Sequence, residues 1–198
     1  MNKTIIFASG NKAKLREVRE ILSDYIIIPA LEAGYTGEPI ENGTSFYENA
    51  LIKAREVALA LNLPALADDS GICVDALNGA PGIFSARYAG DGDDEHNNDL
   101  LLENLKGAKN RDAKYVCAMV YYEPSGKIYF AEGEAKGKIL AERDGENGFG
   151  YDPIFYSYDL NKGLGVASQE EKNSISHRAR ALRILLEKLN AGKNDESV

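Results

Sequence analysis

The chain has 198 residues, 44% of them hydrophobic and 27% charged, which suits one domain with a real core and excludes a disordered chain. Its net charge of −8 makes it a poor partner for nucleic acid or an anionic membrane, so any anion it handles must be met by a few focused cations. The two cysteines, Cys73 and Cys117, form no C-x-x-C pair and the only histidines are His96 and His177, which argues against a disulfide framework, a zinc ribbon or a multi-histidine metal centre.

The first apolar run, residues 4–8, is too short for a signal sequence or a membrane span, and a reducing cytoplasm is the expected compartment. It reads as a strand buried on both faces. After the Gly10 turn, Leu15, Val18 and Leu22 recur at helical spacing among charged neighbours, which predicts an amphipathic helix. Residues 25–29 read as a second strand and 30–44, with four glycine or proline breaks, as a loop. Ser45 and Glu48 form an S-x-x-E capping box for a second helix whose apolar face carries Tyr47, Leu51, Ala54, Ala58 and Leu61. A short strand over 64–67 runs into Asp68-Asp69-Ser70-Gly71, and a glycine-rich loop over 78–92 precedes a helix over 93–105. Residues 114–123 and 127–136 read as a hairpin around Glu123-Pro124-Ser125-Gly126, with a further strand over 137–140. A glycine loop over 145–150 leads to Tyr151-Asp152-Pro153, and a last helix fits 176–190. The interleaved helices and strands around a central hairpin predict a mixed-sheet α/β fold. Residues 1–190 form one domain on this reading, and 191–198 a frayed polar tail.

Several short segments carry side chains suited to nucleotide chemistry. Ser9-Gly10-Asn11-Lys12-Ala13-Lys14 joins a strand to a helix N-terminus, where open N–H groups and a lysine suit a phosphate, although the turn is not a Walker A loop. Asp68 and Asp69 suit Mg²⁺, activation of water, or simply an acidic turn. Glu41 lies in the loop before the second helix, and Lys53 follows Asn49 by one turn off that helix's apolar face. In Gly148-Phe149-Gly150-Tyr151-Asp152 the glycines make room for a planar ligand to stack on the ring. His177 and Arg178 place cations in the first turn of a helix, against the dipole, which marks them as functional or compensated elsewhere. Lys172 lies close enough in sequence to join them. These segments describe a nucleotide pocket and, by themselves, no more than a Mg²⁺-dependent nucleotide enzyme.

The ordered set of motifs resembles the inosine triphosphate pyrophosphatase family. The resemblance rests on residues 9–14, Glu41-Asn42-Gly43-Thr44-Ser45-Phe46-Tyr47-Glu48-Asn49-Ala50, Lys53-Ala54 and Ala67-Asp68-Asp69-Ser70-Gly71. It continues through residues 79–88, Gly148-Phe149-Gly150-Tyr151-Asp152-Pro153, Glu170-Glu171-Lys172-Asn173 and Ser176-His177-Arg178. One departure is Gly165-Val166-Ala167, where the family often has an Ala-Glu-Leu-like segment.

The resemblance implies a mixed parallel and antiparallel sheet flanked by helices, with residues 1–190 as a single bilobal catalytic domain whose two lobes surround a central cleft, in a homodimer. It implies hydrolysis of deaminated purine nucleoside triphosphates, those of inosine, deoxyinosine and xanthosine, to the monophosphate and pyrophosphate. Mg²⁺ is then held by Glu41 and Asp69, with Asp69 also accepting the proton of the attacking water. Asp68 supports the metal site, and Lys53 and Lys14 face the phosphates. Ser9, Gly10, Asn11, Lys12, Ala13 and Ser70 touch substrate. Phe149, with Gly150 and Tyr151 beside it, stacks on the base, and Asp152, Lys172, His177 and Arg178 read its polar edge. Rival readings are a nucleotide sensor without turnover and a pyrophosphatase directed at pyrimidine nucleotides; a nucleic-acid partner is the least favoured.

Overall fold

The computed structural model describes residues 3–195. Its elements are β1 (Lys3–Phe7), α1 (Lys12–Ile21), β2 (Tyr25–Pro29), α2 (Phe46–Leu61), β3 (Ala65–Val74), α3 (Asp94–Asn104), β4 (Asp112–Tyr122), β5 (Ile128–Ile139), β6 (Phe155–Ser157), β7 (Lys162–Gly163), α4 (Gln169–Ile175) and α5 (His177–Asp195). The strands form one mixed sheet of seven in the order β2-β1-β3-β4-β5-β6-β7. β1 runs parallel to β2 and β3, pairing Ile5 with Ile27 and Ile6 with Ala65. β6 is antiparallel to both β5 and β7. The neighbours β4 and β5 are joined by residues 123–127 alone, a connection short enough only for an antiparallel hairpin.

The chain divides into two compact units. The first takes the residues up to Asp69, Cys117–Gly133 and those from Arg178 onward; the second takes Ser70–Val116 and Glu134–His177. In the first unit, strand alternation sorts apolar side chains onto two layers. Ile5, Phe7, Leu66, Cys117 and Met119 pack with Val18 of α1 and its C-cap Leu22, and with Leu182, Leu185 and Leu189 of α5. Ile6, Ala8, Ala65, Ala67, Ala118 and Val120 pack instead with Ala50, Ala54, Val57 and Ala58 of α2. Burial on both faces is why β1 reads as a continuous apolar run. Helix α2 starts where the capping signal places it: Ser45 Oγ accepts the Glu48 N–H at 3.2 Å, and Glu48 reaches back to the amide and hydroxyl of Thr44.

The second unit has its own core, including Ile72, Val74, Leu101, Leu105, Tyr115, Ile139 and Phe155. Here the structure corrects several expectations. β3 does not stop before Asp68 but continues to Val74, because the charges of its aspartates are met by buried cations and the chain has no need to turn toward water there. The glycine-rich stretch contains a 3-10 helix, Gly82–Arg87, pinned by Ser85 Oγ accepting the Ile72 N–H at 2.9 Å. The expected separate strand over 137–140 is not separate: residues 137–139 are the end of β5. β6, β7 and α4 were not anticipated; α4 is opened by a complete capping box between Ser168 and Glu171. Helix α5 continues past Asn190 to Asp195, and residues 196–198 of the expected tail lie outside the described residues.

Candidate active site

The pleat of β3 sends Asp68 and Asp69 to opposite faces of the sheet. Asp68 follows Leu66 onto the layer of α1 and α5, whereas Asp69 follows Ala65 and Ala67 onto the layer of α2. Asp68 is fully buried. Its Oδ2 accepts from Lys14 Nζ at 3.0 Å and from Arg178 Nε and Nη2 at 3.2 and 3.0 Å. Arg178 Nη1 donates to Glu17, and both of those residues are also buried. Burial alone would push the Asp68 carboxyl up, but Lys14, Arg178 and Lys53 outweigh it and hold the group well below the usual carboxylate range. Each member neutralises another, which is what allows so much charge inside.

On the other face, Asp69 Oδ2 accepts from Asn49 Nδ2 at 3.2 Å, and its Oδ1 lies 3.6 Å from Lys53 Nζ. The same ammonium donates to Glu41 Oε2 at 3.0 Å. Glu41 is carried by the loop that enters α2, and Asn49 closes that loop by accepting the Gly43 N–H at 2.9 Å. Asn49 therefore ties the Glu41 loop to Asp69 with its two ends. Burial and the neighbouring Glu41 charge raise the Asp69 carboxyl above its ordinary value, against the pull of Lys53 and Lys14. Burial acts to lower Lys53, yet Asp68, Asp69 and Glu41 raise it on balance, so it stays charged.

Among the described residues no group of three or more His, Cys, Asp or Glu is arranged to hold a metal. Two carboxylates, Glu41 and Asp69, do converge on one cation, the Lys53 ammonium. That donor set fits Mg²⁺, which commonly takes one or two protein carboxylates and completes its shell with water and phosphate oxygens. It does not fit a closed cage.

The turn at residues 9–14 is an organised helix start. Asn11 is the N-cap of α1, and its Oδ1 accepts the N–H groups of Ala13 and Lys14 at 2.9 and 3.0 Å. Ser9 Oγ accepts the Asn11 N–H at 3.2 Å. The amides that sequence reading left open are thus engaged by an oxygen at the place where an anion's oxygen sits at other helix starts. Gly10 and Lys12 are exposed.

The second unit gathers a separate cluster. Asp152 Oδ2 accepts the Phe149 N–H at 2.9 Å and Lys172 Nζ at 2.6 Å, while its Oδ1 accepts from Tyr115 Oη at 3.3 Å. The Lys172 ammonium lies 4.2 Å from the centroid of the Phe149 ring. His177 stacks on Tyr115 with centroids 4.8 Å apart and planes 9° from parallel. Tyr151 Oη donates to the Ser85 carbonyl at 2.8 Å. Gly148 is required: at φ +83°, a Cβ there would fall 2.1 Å from Asp152 Oδ2. Asp152 and Lys172 are almost wholly buried, whereas Phe149 is partly exposed.

The structure thus brings Lys14, Glu41, Lys53, Asp68, Asp69 and Arg178 into the first unit, and Phe149, Asp152, Lys172 and His177 into the second. Ser70 falls in the second unit, next along β3 from Asp69. Arg178 keeps company with Glu17 and Asp68, so its charge at the start of α5 is compensated as the broken dipole rule requires. Sequence reading missed Glu17, which looks like any carboxylate on an amphipathic helix, and Tyr115, hidden in an apolar strand. Asn49 carried a faint signal, one helical turn before Lys53.

The Ham1 family sequence profile matches residues 5–188 of this chain. The chain is 50% identical over 194 residues to a dITP/XTP pyrophosphatase of Thioalkalivibrio sulfidiphilus, covering 93% of this chain and 97% of that protein. It is 48% identical over 181 residues to a dITP/XTP pyrophosphatase of Desulfotalea psychrophila, covering 90% and 81%. The Staphylococcus aureus Ham1 protein superposes with a TM-score of 0.87 at 41% identity, covering 96% of this chain and 100% of that one. The chain belongs to the Ham1 family.

Proposed function

We propose that this protein hydrolyses deaminated purine nucleoside triphosphates, those of inosine, deoxyinosine and xanthosine, to monophosphate and pyrophosphate with Mg²⁺, and so clears them from the nucleotide pool. It is a nucleoside triphosphate pyrophosphatase, a hydrolase of phosphoric anhydride bonds. The observation that carries the reading is the convergence of the Glu41 and Asp69 carboxylates on one cation, the Lys53 ammonium. A sensor that only held nucleotide would not need both metal-binding carboxylates and an activator of water.

Glu41 and Asp69 would hold the divalent ion, which supplies positive charge against the phosphate oxygens. Lys53 and Lys14 add fixed cations where negative charge develops as the anhydride bond breaks. Asp69 accepts the proton of the attacking water. Asp68, itself fixed by Arg178, holds Lys14 in place from inside the fold. In the second unit, Phe149 offers a face for the base, and Lys172 a donor for the 6-oxo group that adenine lacks. A donor opposite an amino group goes unpaired, which costs about 1–3 kcal/mol. The resemblance also supports a homodimer and a cytoplasmic enzyme; no described helix is long and apolar enough to cross a membrane.

The test is a product assay with Mg²⁺, giving inosine triphosphate and adenosine triphosphate in parallel. Pyrophosphate from the first and little from the second is expected. Orthophosphate, or equal turnover of both, would overturn the reading.

A further inference from the structure

Gly150 is gripped through both of its backbone groups by one face of α3. Its N–H donates to the Asp94 carboxylate at 2.8 Å, and its carbonyl accepts from Asn98 Nδ2 at 3.0 Å. Asp94 and Asn98 are four residues apart on the helix and so share a side. Asp94 is the first helical residue, where a carboxylate suits the positive end of the helix dipole.

The two bonds matter because of what lies between Gly148 and Gly150. Both glycines have positive φ, +83° and +63°, and each leaves the backbone around Phe149 many accessible orientations. The N–H of Phe149 is fixed by Asp152. The Gly150 N–H belongs to the peptide that follows Phe149, and the Gly150 carbonyl to the next one. Three successive peptides around the ring are thereby pinned, two of them by α3.

Asn98 is fully buried, and its Oδ1 has no hydrogen-bond partner among the described residues. An idle buried amide oxygen is destabilising, and a hydrocarbon of the same shape would avoid it. The residue's other end, on the Gly150 carbonyl, is the one thing a hydrocarbon would not supply. Within the Gly148–Asp152 loop, the Gly150 N–H is committed to the protein and not open to substrate.

We propose that Asp94 and Asn98 are positioning residues of the base platform: through Gly150 they set the plane of the Phe149 ring, and with it the selection of the base. The proposal rests on the reading of Phe149 as that platform. It extends the site onto α3, a helix that carries none of the residues assigned to the reaction.

The experiment compares Asn98→Leu, Asp94→Ala and Asp94→Asn with the unaltered protein, by hydrogen–deuterium exchange and by steady-state kinetics with inosine and adenosine triphosphates. For Asn98→Leu and Asp94→Ala, exchange in residues 148–151 should quicken about tenfold, well beyond any change in segments away from the loop. KM for inosine triphosphate should rise and the preference over adenosine triphosphate should fall by about the same factor, with kcat within about twofold. Asp94→Asn keeps an acceptor for the Gly150 N–H and should restore both readouts. Unchanged exchange in that segment, or a loss of kcat that merely tracks a lower melting temperature, would overturn the proposal. If the unaltered protein releases no pyrophosphate from inosine triphosphate, it is the base-platform reading that fails; the exchange result still decides whether α3 holds the loop.

Discussion

Asp68 and Asp69 are adjacent on β3 and belong to different faces of the sheet: the first is locked to Lys14 and Arg178, the second to Asn49 and, more loosely, Lys53. A pair that reads as one acidic site is therefore two sites with different work. Asp69→Asn should lower turnover by about 10²–10⁴-fold while leaving nucleotide binding and stability near normal. Asp68→Asn should instead destabilise the fold by about 3–5 kcal/mol, because it leaves buried cations short of a counter-charge. Urea unfolding alongside pyrophosphate release separates the two; equal effects on both readouts from both variants would refute the division.

The same cluster makes stability depend on acid. The folded-state pKa of Asp68 is depressed, so its contribution is fully present above the ordinary carboxylate value, about 3.9. The contribution is lost as the pH falls through the folded value, which lies well below. The melting temperature should decline on going from pH 5 to pH 3, and the decline attributable to this group should vanish in Asp68→Asn. The comparison is made in chelator, so that no divalent ion contributes.

Asn49 uses both ends of its amide, one on Gly43 and one on Asp69. Asn49→Ala leaves the half-buried Gly43 N–H and the buried Asp69 carboxylate each short of a partner. A loss of about 1–3 kcal/mol in urea unfolding is expected, with a fall in kcat. Asn49→Asp should be worse for turnover, since it sets an oxygen against the Asp69 Oδ2. A kcat at the unaltered value in Asn49→Asp would show that the link is not used.

Gly148→Ala tests the loop from the other side. The added Cβ meets the Asp152 carboxylate at 2.1 Å in a backbone conformation that side chains rarely adopt. Displacing Asp152 frees Lys172 and the Phe149 N–H together. KM for inosine triphosphate should rise by about tenfold or more, with a smaller change in kcat. A KM unchanged in this variant would mean that Asp152 yields without disturbing the platform.

The sequence by itself determined much of this protein. The apolar runs of β1 and β2, the Ser45 start of α2 and the hairpin of β4 and β5 were legible because their signals are local: burial on both faces, a cap, a tight turn. The ordered motifs, together with the family resemblance they carry, also picked out Lys14, Glu41, Lys53, Asp69, Phe149 and Lys172 as candidates. What only tertiary structure decided is which of these residues meet. Arg178 is separated from Asp68 by 110 positions and from Glu17 by 161, and no local pattern announces either contact. Nor did any pattern say that β3 would run on through two aspartates. A strand can carry them inside only when cations from other elements arrive to neutralise them, and that is settled by the packing of α1, α2 and α5, not by the residues of β3.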